Sequence, residues 1–164
     1  MMVPTVNSAA RMAALFCAFS CLLLLAPCEG QAASREELTG LWYSHLNEEG
    51  TVDGVSYTFR CQVVNNRADG TKETRFRYYA GDQLVYELVA SYRWGVENNV
   101  FWAECVTATA RGRTNRCSGR FEYDVLSVTP RLFQYKSRQT GIIYEAIRVE
   151  EGSRMACLQL SSFH

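Results

Sequence analysis

From about Tyr57 to Val149 apolar and polar residues alternate, turn residues interrupt the alternation at short intervals, and the registers of successive hairpins agree with one another. Side chains along a strand point to opposite faces with a period of two, so this stretch describes an antiparallel meander with one apolar face. Strand A is predicted over residues 38–44, after Ser34-Arg35-Glu36-Glu37, whose serine-to-glutamate spacing is that of a helix capping box. The polar stretch 47–54, with two glycines, is the longest predicted loop and the one with the length to act as a lid. Strand B, residues 56–64, sets Tyr57, Phe59, Cys61 and Val63 on the apolar face against Thr58, Arg60 and Gln62.

Turn chemistry then fixes the pairing. Across the short loop at Gly81-Asp82-Gln83, Ala80 is expected beside Leu84, Tyr78 beside Tyr86 and Phe76 beside Leu88. Asn98-Asn99 suits the positive φ angles of a two-residue turn and puts Trp94 opposite Ala103 and Tyr92 opposite Cys105. Centring the next hairpin on Arg111 puts Cys105 opposite Cys117, Ala103 opposite Gly119 and Phe101 opposite Phe121. A slip by one residue would turn Arg120 and Glu122 inward, so burial selects that register. A strand ending near Ser127, a break at Thr129-Pro130, a strand over 131–136 with Phe133 and Tyr135 inward, and a last strand over 142–149 complete the set. The facing of the last strand is ambiguous, because Ile142, Ile143, Tyr144 and Ile147 do not alternate.

Eight hairpin-linked strands leave two open edges unless the sheet closes. The expected fold is therefore all-β, an eight-stranded antiparallel up-and-down barrel, able either to fill its centre with side chains or to enclose one small ligand. A two-sheet sandwich is the competing architecture, but its crossovers need longer connections than most of these turns.

Residues 1–32 read as a signal peptide: Arg11 precedes an apolar run, residues 12–27, too short to span a bilayer, and small residues Gly30, Ala32 and Ala33 follow. The expected domain is 33–150 and the tail 151–164, and the mature chain contains no integral membrane segment. Lipoprotein processing at Cys28 is the rival reading of the leader. Either way the expected location is periplasmic or secreted. Loss of the leader removes Arg11 and Glu29 and keeps the formal charge at zero, so no nucleic-acid partner is implied. It also removes Cys17, Cys21 and Cys28, leaving Cys61, Cys105, Cys117 and Cys157, an even set that suits two disulfides. No Cys-x-x-Cys or Cys/His spacing supports a metal site, and no metal or cofactor is expected. Register pairs Cys105 with Cys117, and elimination leaves Cys61 for Cys157, which would anchor the tail.

Gly40-Leu41-Trp42 on the first strand and Arg148 on the last resemble the barrel-closing motif of the lipocalin-like branch of the calycins. The resemblance implies a guanidinium stacked on the indole at the barrel bottom, a compact exported bacterial relative, and a C-terminal cysteine bonded to a barrel strand.

On the proposed inner face lie Tyr78, Tyr86, Tyr92, Trp94, Phe101, Phe121 and Tyr123, which either line a pocket for a small apolar or aromatic molecule or simply fill the barrel. Arg111, Arg113, Arg116 and Arg120 cluster at one hairpin, and Trp102 falls outward opposite Arg120, so a protein partner docking on this region is the second reading. That partner would make the chain a binding module such as a hydrolase inhibitor. No ordered set of Ser, His and acid residues supports catalysis; His45 stands alone and Glu104 points outward. A small barrel isomerase or cyclase is the third reading.

Overall fold

A computed structural model describes residues 32–150 of the 164-residue chain. One helical turn, α1 (Arg35–Leu38), precedes β1 (Gly40–Leu46), β2 (Gly50–Val52), β3 (Val55–Tyr57), β4 (Phe59–Asn66), β5 (Thr71–Ala80), β6 (Gln83–Glu97), β7 (Val100–Ala110), β8 (Arg113–Arg116), β9 (Arg120–Val128), β10 (Leu132–Ser137) and β11 (Ile143–Arg148). The main sheet runs β6-β5-β4-β1-β11-β10-β9-β7, and pairing of β6 with β7 closes it. Because β8 and β9 both pair with β7 as one interrupted strand, the result is the expected closed eight-stranded antiparallel barrel. Among the described residues no helix is long and apolar enough to cross a membrane. The leader, the tail and the Cys157 partner assigned to Cys61 lie outside the described residues.

The barrel bottom forms as the motif implies. The Ser34 hydroxyl accepts from the Glu37 amide and the Glu37 carboxylate accepts from the Ser34 amide, a complete capping box. Trp42, 1 % exposed, pairs with Arg148 across β1 and β11, with the guanidinium 4.2 Å from the ring centre. Arg148 also donates to the carbonyls of Pro130, Thr39 and Glu37. Gly40 is required here: its φ is +123°, and a Cβ would stand 2.6 Å from Arg148 Nη1.

Several registers match the sequence. Tyr78 pairs with Tyr86, Phe76 with Leu88, Trp94 with Ala103 and Tyr92 with Cys105. Asn98 and Asn99 take φ of 50° and 62° at the two-residue turn. The ambiguous last strand resolves with Tyr144, Ala146 and Arg148 inward, beside Tyr135, Phe133 and Trp42, and with Ile143 and Ile147 exposed.

Four expectations need correction. Strand A begins at Gly40 rather than at residue 38, because Leu38 closes α1. Residues 50–57 do not form a plain loop leading into strand B: β2 and β3 make a small hairpin, turned by Asp53-Gly54 at positive φ, and β4 starts only at Phe59. Within β4 the apolar face is the outer one, since Trp42 pairs with Val64 and must point inward, which sends Phe59, Cys61 and Val63 out. There they cluster with Tyr43, Leu41, Tyr79 and Val149, while Arg60 and Gln62 face the interior.

The remaining correction concerns bulges. An irregularity after Tyr78 sets Tyr79 against Leu84 and Ala80 against Gln83, leaving Leu84 exposed. At the next hairpin the turn is Arg111-Gly112, both at positive φ, with Ala110 opposite Arg113. Residues 117–119 then bulge, so Ala103 faces Phe121 and Phe101 faces Tyr123, two residues beyond the expected register. A two-residue slip preserves facing. The Cys105–Cys117 disulfide forms regardless, with Cα atoms 5.5 Å apart, because the Cys105 amide donates to Gly119 and the Cys117 amide to Val106 across the bulge.

Candidate functional site: a cavity in the barrel

Edge and face contacts link Trp42, Phe133, Phe101, Tyr123, Tyr135 and Tyr144 into one aromatic column running up from the closed bottom. Above Phe101 the column does not fill the barrel. A cavity of about 170 Å³ opens there, lined by Ser44, His45, Leu46, Arg60, Cys61, Gln62, Lys72, Thr74, Phe76, Tyr92, Phe101, Ala103, Phe121, Tyr123, Tyr135 and Tyr144. That volume is close to the roughly 150 Å³ of an engineered protein cavity that takes up benzene. Room for one monocyclic ring is present.

Four of the residues assigned to the ligand site from sequence, Tyr92, Phe101, Phe121 and Tyr123, line this cavity together. Phe121 is 41 % exposed, a consequence of the 117–119 bulge. Trp94 lies elsewhere: it is buried in the plug, its Nε1 donating to the carbonyls of Arg67 and Thr71, and Arg35 covers its ring at 5.4 Å. Tyr78 and Tyr86 also stand apart from the lining, in an edge-to-face group with Tyr57 of β3. The hairpin carrying Tyr57 is held at its tip by an Asp53–Arg111 ion pair of 3.3 Å, and Arg111 in turn covers Tyr86.

The polar lining went unread in the sequence. Lys72, Thr74, Gln62, Arg60, Tyr135 and Tyr144 all face the cavity. The inward phase of β5, extended back from Tyr78 through Phe76, reaches Thr74 and Lys72, so the alternation carried the signal and their polarity hid it. Gln62 donates to Ser44 Oγ at 2.7 Å and to the Tyr135 hydroxyl at 3.4 Å. Arg60 is neutralised by Glu48 at 2.5 Å. The Thr74 hydroxyl, in a residue only 1 % exposed, has no hydrogen-bond partner among the described residues.

Lys72 is the cation of this site. Its Nζ lies 4.8 Å from the ring centre of Phe101 and 5.2 Å from that of Tyr92, which pairs with it across β5 and β6. No aspartate or glutamate is among the lining residues. Burial strips water from the ammonium and pulls its pKa down to about 7. The same loss of water pushes Tyr123 up to about 12 and raises Tyr92 and Tyr135, so these hydroxyls stay protonated donors.

On the outer surface Trp102 lies flat over Gly95, whose Cβ position would be 2.7 Å from the indole, with Arg120 4.6 Å above the ring and Nε1 bonded to Glu97. Its strand partner is Glu122, not Arg120 as expected, again because of the bulge. His45 points outward and contacts the rings of Tyr43 and Phe59. Compared with protein-family models and with curated proteins, the sequence matches none.

Proposed function

We propose that this chain is an exported, lipocalin-like binding protein that holds one small aromatic or apolar molecule in its barrel. The observation that carries the reading is the 170 Å³ cavity, walled by ring faces yet carrying several polar groups, the pattern of a small-ligand site rather than of a packed core. Pocket-lining duty falls to Tyr92, Phe101, Phe121 and Tyr123, joined by Tyr135 and Tyr144. Tyr78 and Tyr86, with the β2–β3 hairpin, would guard the far end. Export is supported by the Cys105–Cys117 disulfide, a bond that persists in oxidising compartments, and N-terminal sequencing of the secreted form should find the mature chain starting after Gly30 or Ala32.

The alternative, a protein-docking module built on Trp102, has less behind it, because that ring is covered by Arg120 and its N–H is already bonded. Titration of the oxidised protein with benzyl alcohol and toluene tests the preferred reading. Both should raise the melting temperature, increasingly with the logarithm of ligand concentration once that exceeds the dissociation constant, and perturb tyrosine emission. A melting temperature that ignores both ligands up to their solubility limits would remove the carrier reading.

A further inference from the structure

We propose that Lys72 makes the barrel cavity a carbonyl-capture site, holding a small aromatic aldehyde as a reversible imine. The inference rests on the ligand-binding reading above and names the chemical class of ligand. Three independent placements support it. The Nζ sits against the faces of Phe101 and Tyr92 and lines the cavity rather than the solvent. No carboxylate lines the cavity to hold the amine as an ion pair, and the one other cation there, Arg60, is already matched by Glu48. Two residues along the same inward face, Thr74 presents a buried hydroxyl with no partner among the described residues.

The chemistry needs nothing else. The lone pair of the neutral amine attacks the carbonyl carbon, forming a C–N bond as the C–O π bond opens to a carbinolamine. Proton transfer from nitrogen to the departing oxygen then releases water and leaves a C=N bond. One aldehyde enters and one water leaves, with no change of oxidation state. A desolvated lysine suits the first step because about half of it is unprotonated near neutral pH, whereas an ordinary amine is almost wholly charged there. The titratable groups lining the cavity with it from the neighbouring strands are the phenols of Tyr92, Tyr123, Tyr135 and Tyr144, the guanidinium of Arg60 and the imidazole of His45, whose ring packs against Tyr43 and Phe59. Burial raises Tyr92, Tyr123 and Tyr135, so these phenols stay protonated near neutrality and leave a labelling profile in that range to the amine. Phenol hydroxyls that remain protonated can also donate to the carbonyl oxygen as it gains charge.

The chain supplies an internal control, since its two lysines are Lys72 and the exposed Lys136. The oxidised protein is incubated with benzaldehyde and sodium cyanoborohydride, which reduces an imine to a stable secondary amine, and the modified residue is located by peptide mass spectrometry. The expected result is modification of Lys72 at least ~10-fold faster than of Lys136 at pH 7, because the desolvated amine is largely neutral there. Its rate should level off above pH 8. Lys72→Met should lose the fast modification. Equal rates at the two lysines overturn the proposal. If Lys72 stays unmodified while benzyl alcohol still raises the melting temperature, imine formation is rejected and the carrier reading survives. If neither modification nor benzyl alcohol binding is seen, both fall.

Discussion

The two ends of the barrel interior solve the same problem differently. At the bottom the buried donors are matched, with Asn66 Oδ1 left as an unpartnered acceptor: the Trp42 and Trp94 indoles and the Asn66 amide donate to carbonyls, Arg148 bonds three more, and α1 carries a complete capping box. Around the cavity the matching is left incomplete, with an ammonium over two rings and an unpartnered threonine hydroxyl. Buried polar groups are ordinarily satisfied because leaving one unmade costs about 1–3 kcal/mol. The contrast therefore divides the molecule into a half that holds the fold and a half that keeps bonding capacity in reserve.

The contrast breaks most visibly at Trp42. Trp42→Ala removes the ring that Arg148 covers and that meets Phe133 edge-on, and should lower unfolding free energy by about 3–5 kcal/mol in urea titrations under oxidising conditions. A loss below 1 kcal/mol would show that the plug does not hold the fold.

A second substitution fills the other half. Ala103 lines the cavity between Trp94 and Phe121, so Ala103→Leu should place its side chain in open space and abolish benzyl alcohol binding while leaving the melting temperature nearly unchanged. In a packed core the same change would cost about 1–3 kcal/mol. Gly119 is unsuited to this experiment: the bulge takes it away from the cavity lining and holds it at φ +126°, where any side chain is strained.

How much of this contrast was legible in the sequence follows from what a period of two encodes. It separates the faces of a strand but does not say which is inside. For β6 and β7 the inner face was also the apolar one, so Trp94, Ala103 and Phe101 were placed correctly. For β4 it was not, because Trp42 dictates the facing of its neighbour and an outer cluster covers Phe59, Cys61 and Val63. The glycine, tryptophan and arginine of the plug were readable because three partners must coincide. Lys72 and Thr74 were invisible for the opposite reason: a polar residue on a strand is read as facing water, and a cavity is where that rule fails. Bulges at Tyr78 and at residues 117–119 carry no pattern of their own, so the fine register of Phe121 was beyond reach.

Sharper in sign is the pH dependence of stability. Lys72 has its pKa lowered on folding, so its desolvation penalty is absent above the unfolded value near 10.5 and fully in force below about pH 7. Between these limits the unfolded chain binds more protons than the native one, and stability should rise with pH. The raised tyrosines oppose this only above pH 10, where the unfolded phenols ionise first. Lys72→Met should flatten the rise between pH 7 and 10 and gain its largest advantage over the wild type at pH 7 and below. Parallel slopes in the two proteins would mean that the ammonium is as well hydrated in the barrel as in the unfolded chain.

The least effect on stability is expected at Asp53, and it concerns access rather than packing. The Asp53–Arg111 pair joins the tip of the β2–β3 hairpin to the β7–β8 turn, and both side chains are more than half exposed. Exposed pairs of this kind contribute about 0–1 kcal/mol, so Asp53→Asn should leave the melting temperature within a degree or two. What it releases is one attachment of the hairpin, another being the edge contact of Tyr57 with Tyr78. If the hairpin gates the cavity half, stopped-flow dissociation of benzyl alcohol should quicken several-fold in Asp53→Asn and again in Asp53→Asn/Tyr57→Ala, with little change in the association rate of the first variant, because affinity differences among close relatives of one site fall mostly in the off-rate. High salt should mimic the first variant by screening the pair and leave the second unaffected. Dissociation rates that ignore both substitutions would place the route into the cavity away from this hairpin, with the partly exposed Phe121 of the cavity lining the next position to substitute.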